Sequence, residues 1–241
     1  MMKRIAALLI IVSGLAFPAQ AQTVPSSSRS REAIARVSPD LKKELSDKGF
    51  SWGAPIYIRI FKKPKQLEVW LKKEAQFQLF KTYGICTYGW AGRLGPKVRQ
   101  GDGQAPEGFY FVTPKQMNPL SSYHLSFNLG YPNAYDRAHK RTGGALMVHG
   151  RCVSIGCYAM TDKRIEEIYT LADAAFRNGQ PFFRVHIFPF PMIDDNMEKY
   201  RHSEWIDFWR NLKEGYDFFE NNGNKPPNVL VKDMRYVFEP S

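Results

Sequence analysis

The chain has 241 residues, a formal charge of +11 and three cysteines. That length holds one domain of ordinary size with terminal extensions. The basic residues are scattered, with no basic helix and no aromatic-interleaved RNA motif. That excludes a nucleic-acid surface and leaves two readings, contact with anionic envelope material or a merely soluble basic surface.

Met1-Met2-Lys3-Arg4 is a short basic start, Ile5 to Phe17 is almost wholly apolar, and Pro18-Ala19-Gln20-Ala21 supplies an A-x-A pattern. This reads as a secretory signal peptide over residues 1–21, cleaved after Ala21. The apolar run is shorter than the roughly 20 residues that span a bilayer, and no later segment is long enough either. The expected location is the periplasm, with no stable membrane insertion. Residues 22–54 read as a polar Pro/Ser-rich tether over 22–31, then a short helix from Ser38-Pro39-Asp40 to Lys48, stopped by Gly49.

From Pro55 the period becomes two. Ile56/Ile58/Ile60, Leu67/Val69/Leu71 and Phe77/Leu79/Lys81 each alternate with their neighbours, separated by lysine-rich turns, and predict an antiparallel meander. Lys62, Lys63 and Lys65 fall in the first of these turns. Further predicted strands are Tyr83–Cys86, Gly108–Val112, Leu125–Leu129, Ala145–His149 and Phe182–Phe188. Gly89–Glu107 and Tyr131–Gly144 are long Gly/Pro-rich loops, which in a compact domain are usually either functional or disordered. Asp162 is placed to cap a helix whose apolar face carries Ile165, Ile168, Ala172, Ala175 and Phe176, with Gly179 as its stop. Residues 191–241 read as a helical extension, in which Trp205, Phe208, Trp209 and Leu212 form one stripe.

The stretch HGRCVSIGCY, His149 to Tyr158, admits three chemistries. As a zinc site it would use His149, Cys152 and Cys157 with His139, but the spacing lacks a second ligand pair. As a disulfide it would join Cys152 to Cys157 in a tight loop, or Cys86 to Cys152, which leaves Cys157 free; buried, unpaired thiols are the plain alternative. As a nucleophile, Cys157 would give its proton to His149, whose other ring nitrogen would need an acceptor such as a backbone carbonyl. Gly156 would then leave room for a substrate carbonyl, and N–H groups around Ser154, Gly156 and Cys157 would face the oxyanion.

Several of these residues carry a family resemblance. His149-Gly150 followed by Ser154-Ile155-Gly156-Cys157 resembles the signature of the L,D-transpeptidase (YkuD-type) family, usually His-Gly, a loop, then Ser/Thr-His-Gly-Cys. Gly95-Pro96-Lys97, Gln100-Gly101-Asp102, Ala105 to Tyr110 and Tyr131 to Asp136 are similar to further motifs of that family. The resemblance implies a β-rich α+β fold, an L,D-transpeptidase-like sandwich or barrel placed over 55–190, with Cys157 as nucleophile, His149 as base and no metal or cofactor. HG-x-CVSIGCYAM is similar to an envelope branch implicated in cutting the amide between peptidoglycan diaminopimelate and the C-terminal lysine of the major outer-membrane lipoprotein. The implied partners are therefore stem peptides and the lipoprotein joined to them; a cross-linking transpeptidase and a non-catalytic peptidoglycan-binding module are the alternatives.

Two departures from the common pattern bear on substrate. Ile155 replaces the usual second histidine, and Ala159 stands where an arginine commonly follows the cysteine by two. The stretch from His149 to Cys157 is also short, which predicts a more open mouth. Arg137 and Arg151 are candidates to hold a substrate carboxylate, and Tyr135 and Tyr158 to line the cleft, each with surface or packing roles as the alternative.

Overall fold

The computed structural model describes residues 23–90 and 92–241. The signal peptide read over residues 1–21 lies outside them. Strands β1 (Ile56–Phe61), β2 (Gln66–Lys73), β3 (Gln76–Gly84), β4 (Thr87–Tyr88), β5 (Gly108–Val112), β6 (Met117–Asn118), β7 (Ser126–Asn128), β8 (Met147–His149), β9 (Tyr158–Ala159), β10 (Phe183–Phe188), β11 (Asn228–Lys232) and β12 (Arg235–Glu239) follow in chain order. The helices are α1 (Ser28–Asp47), α2 (Ala134–Ala138), α3 (Asp162–Arg177), α4 (Asp194–Lys199) and α5 (Ile206–Asn221). No helix among the described residues is long and apolar enough to cross a membrane.

The strands form two five-stranded sheets, ordered β3-β2-β1-β10-β5 and β4-β9-β8-β7-β6, with β11-β12 as a separate hairpin. The meander β1-β2-β3 is antiparallel, and β10 returns to lie parallel to β1. The alternation along β1 is not a contrast of core and solvent, because every residue of that strand is buried. Ile56, Ile58 and Ile60 face a core shared with the second sheet and α3. Tyr57 and Phe61 face aromatic clusters that include Phe219, Trp209 and Tyr216 of α5. Sheet one therefore separates the second sheet and α3 from a covering layer of α5 and the hairpin. The fold is α+β, with mixed sheets and a few helices.

Four sequence expectations need correction. The segment read as a tether is the first part of α1, which begins after Ser27 in a reciprocal cap with Ser30 and runs through Pro39. Tertiary contacts outweigh the proline: Ala33, Leu41 and Leu45 are buried, and Arg36 pairs with Glu166 of α3 at 2.6 Å. Tyr83 continues β3 rather than opening a strand of its own. The C-terminal extension is not wholly helical, since it ends in the β11-β12 hairpin. Lys62 is not part of a basic surface; it is fully buried and paired with Glu107 at 3.0 Å.

Candidate active site

His149 is the last residue of β8, between Ser126 of β7 and Ala159 of β9. Its side chain is 3% exposed. Nδ1 lies 2.7 Å from the carbonyl oxygen of Gly150. A carbonyl only accepts, so Nδ1 carries the hydrogen and Nε2 is left as a bare acceptor. The ring of Tyr123 packs 4.7 Å from the imidazole. The glycine after the histidine is required by space: a Cβ on Gly150 would lie 2.6 Å from Asp162 Oδ1 and 3.0 Å from the Tyr123 carbonyl oxygen. Asp162 also accepts from Arg151 N at 2.8 Å, tying the loop to the start of α3.

Cys86 and Cys152 are joined by a disulfide, with Cα atoms 5.2 Å apart, and Cys157 is a free thiol. The zinc grouping does not assemble: Cys152 is consumed in that bond, and His139 stacks on Tyr135 and bonds to its carbonyl oxygen.

Cys157 immediately precedes β9 and is partly exposed. Its sulfur accepts from Met147 N at 3.4 Å, and its thiol donates to the Ala145 carbonyl oxygen at 3.7 Å. β9 pairs with β8 through Tyr158–Val148 and Ala159–His149, so Cys157 enters the sheet beside the strand that ends in the histidine. Burial pushes the Cys157 thiol up, against the N–H of Met147 and the charge of Lys97, which lower it. Burial likewise pushes His149 down, against its bond to Gly150. Both shifts favour a neutral thiol beside a neutral imidazole, rather than the preformed thiolate that the nucleophile reading entails.

The oxyanion expectation also changes. Gly156 N and Cys157 N both donate to Ser154 Oγ, at 3.1 and 2.6 Å, and that hydroxyl donates to the Cys157 carbonyl oxygen at 2.8 Å. The two N–H groups are therefore occupied by the serine that shapes the turn. Gly156 does lie close under the long loop, since a Cβ there would be 3.4 Å from the Gln104 carbonyl oxygen.

Of the substrate candidates, only Arg151 stands exposed beside the histidine. Tyr158 is fully buried and donates to the Pro106 carbonyl oxygen at 2.7 Å, so it packs the core and does not line the cleft. Tyr135 stacks on Tyr236 of the hairpin at 4.2 Å, and the Arg137 guanidinium donates to the Pro132 carbonyl oxygen. Neither is brought to Cys157, because α2 turns toward the C-terminal layer.

Lys97 and its loop were not assigned a role from sequence. Lys97 is buried, pairs with Asp102 at 2.7 Å and donates to the Arg99 carbonyl oxygen at 2.9 Å. The same loop is pinned at Gly95. Its N–H donates to Glu107 at 2.8 Å and its carbonyl oxygen accepts from Lys62 at 2.6 Å. Trp209 of α5 donates to the other Glu107 oxygen at 2.8 Å. The sequence signal was the pair of motifs Gly95-Pro96-Lys97 and Gln100-Gly101-Asp102, which mark the loop but not its anchor.

Residues 55–187 match the YkuD family, the L,D-transpeptidase catalytic domain. The chain is 48% identical over 208 residues to the putative L,D-transpeptidase YafK of Escherichia coli K12, covering 86% of this chain and 81% of that protein. The chain belongs to the L,D-transpeptidase family. The YafK protein of Escherichia coli O157:H7 matches to the same extent, 48% over 208 residues. Among solved structures, the helical cell shape determining protein Pgp2 of Campylobacter jejuni aligns at a TM-score of 0.44 and 16% identity, covering 80% of each chain. Bd1075 of Bdellovibrio bacteriovorus aligns at 0.42 and 18%, covering 77% of this chain and 84% of that one. These two likenesses are weak and the assignment does not use them.

As a member of the L,D-transpeptidase family, the protein has a peptidoglycan-related function, and its chemistry is that of a cysteine acyl-transfer enzyme. Cys157 is the free cysteine among the described residues. Ala159, where an arginine is common in this family, is fully buried on β9 between Thr87 and His149.

Proposed function

We propose that this protein is an exported L,D-transpeptidase-family amidase that cleaves the diaminopimelate–lysine link between peptidoglycan and the major outer-membrane lipoprotein. The observation that carries this reading is the open rim beside Cys157. Ile155 is 73% exposed and Val153 57% exposed, with Tyr123 exposed next to His149. No guanidinium stands at residue 159 to grip the carboxylate of a slim donor peptide. An apolar, open rim suits a bulky peptide joined to a protein.

In the proposed reaction the thiol turns from the Ala145 carbonyl toward His149. Nε2 takes the thiol proton as sulfur attacks the carbonyl carbon on the L-centre of diaminopimelate. The tetrahedral intermediate collapses, the C–N bond breaks, and His149 gives the proton to the leaving lysine amine. Water then adds to the thioester with His149 again as base, releasing the diaminopimelate carboxylate and restoring the thiol. Nδ1–H, held by Gly150, fixes the ring through both steps. In this reading Arg151, exposed two residues after His149, meets a substrate carboxylate.

The test is a sacculus assay. Sacculi carrying bound lipoprotein should release it with the wild-type protein and not with Cys157→Ala. New cross-links in the muropeptides, without release, would instead mark a transpeptidase.

A further inference from the structure

A cavity of about 390 Å³ lies behind sheet one, between β5-β10 and the C-terminal hairpin. It shares no residue with the cysteine site. Phe109, Phe111, Phe182, Arg184, His186 and Leu230 are among its walls. The volume falls in the range of small-molecule sites.

Its wall carries one cation that has no acidic partner among the described residues. Arg184 is partly buried, and its guanidinium stands 5.1 Å over the Phe182 ring and donates to Asn228 Oδ1 at 2.6 Å. It forms no ion pair among the described residues; Glu239 on β12 also lines the cavity without reaching it. A cation set into an aromatic wall calls for a counter-charge. His186 is 1% exposed, and its Nδ1 lies 2.9 Å from the Tyr57 hydroxyl. Nε2 has no partner.

We propose that this cavity is a second binding site, separate from Cys157, for a small organic carboxylate with an apolar body, of about dipeptide size. Arg184 takes the carboxylate and the phenylalanine walls hold the apolar body. Glu239 at the rim disfavours a second negative charge. The site stands whether or not Cys157 acts on the lipoprotein link.

The test is calorimetric titration of the mature, disulfide-bonded protein with N-acetyl-phenylalanine and with N-acetyl-phenylalaninamide. The acid should bind saturably and the amide at least tenfold more weakly. Arg184→Gln should weaken the acid at least tenfold while leaving the alkylation rate of Cys157 unchanged. Phe111→Ala, at a side chain 54% exposed and therefore harmless to folding, should weaken both ligands. Equal binding of acid and amide by the wild-type protein, or no binding of either, overturns the proposal, and so does an Arg184→Gln protein that binds the acid normally.

Discussion

The chemistry at Cys157 turns on which group holds a proton at rest. Burial acts on sulfur and imidazole in opposite directions, up for Cys157 and down for His149, and both directions leave the pair uncharged. In the proposed reaction a neutral His149 serves as base without first losing a proton. The acidic limb of kcat/KM should therefore fall below pH 6.5, the ordinary imidazole value, because the buried ring resists protonation until lower pH. Iodoacetamide should label Cys157 slowly at neutral pH, and faster only above its ordinary value of 9.0. An acidic limb above pH 6.5, or rapid labelling at neutrality, would show a preformed ion pair instead. The strand-end position of His149 was legible because it closes an alternating run, and the free thiol at Cys157 was one of the pairings the three cysteines allowed. Tyr135 and Tyr158 were misread because proximity in sequence to a motif says nothing of which way a side chain faces. Tyr158 pairs with Val148 on β9 and is fully buried in the core, its hydroxyl on the Pro106 carbonyl oxygen.

At the scale of elements, the C-terminal helix has a definite task. Trp205 and Trp209 reach the loop that overlies the cysteine. A Cβ on Gly95 would fall 2.4 Å from Trp205 Nε1, and Trp209 holds the carboxylate that anchors Gly95. Lys97 and Gln104, further along that loop, then face the Cys157 turn. Trp209→Phe leaves one buried Glu107 oxygen without its donor. The cost expected is about 1–3 kcal/mol of stability, read as a lower urea midpoint, with a fall in acyl-transfer rate that exceeds the effect of an equally destabilising change in α1. Equal losses of rate at equal stability would make α5 a mere cover. The aromatic stripe of α5 was readable from its spacing, but its reach to Glu107 was not, because no local pattern encodes a contact across a hundred residues. The hairpin escaped for a different reason. Its turn is Asp233-Met234, both at positive φ (48° and 60°), where Asn-Gly is the usual signal. The start of α1 was hidden by Pro39, which reads as a first-turn residue although the helix already runs through it.

For the molecule as a whole, sheet one is a wall with two faces in use. One face backs the cysteine site, and the other carries α5, the hairpin and the Arg184 cavity. The strand alternation predicted the meander, whereas the parallel return of β10 beside β1 depends on long-range pairing that periodicity does not specify. The disulfide crosses these parts, tying the entrance to β4 to the loop after His149 over a separation of 66 residues. Replacing Cys86 and Cys152 with serine should cost about 2–4 kcal/mol, measured by urea denaturation, and should make a reductant that now lowers stability inert. A double variant as stable as the wild type would show that the β8-β9 pairing alone holds the loop.

Cysteine-dependent hydrolysis of the lipoprotein link is read most directly in heavy-oxygen water. Sacculi bearing lipoprotein are incubated with the mature protein, and both products are weighed by mass spectrometry. The expected result is free lipoprotein ending in an unmodified lysine amine, one heavy oxygen in the diaminopimelate carboxylate, and neither product with Cys157→Ala. Release that persists in Cys157→Ala, or label-free diaminopimelate appearing in new cross-links, would contradict it.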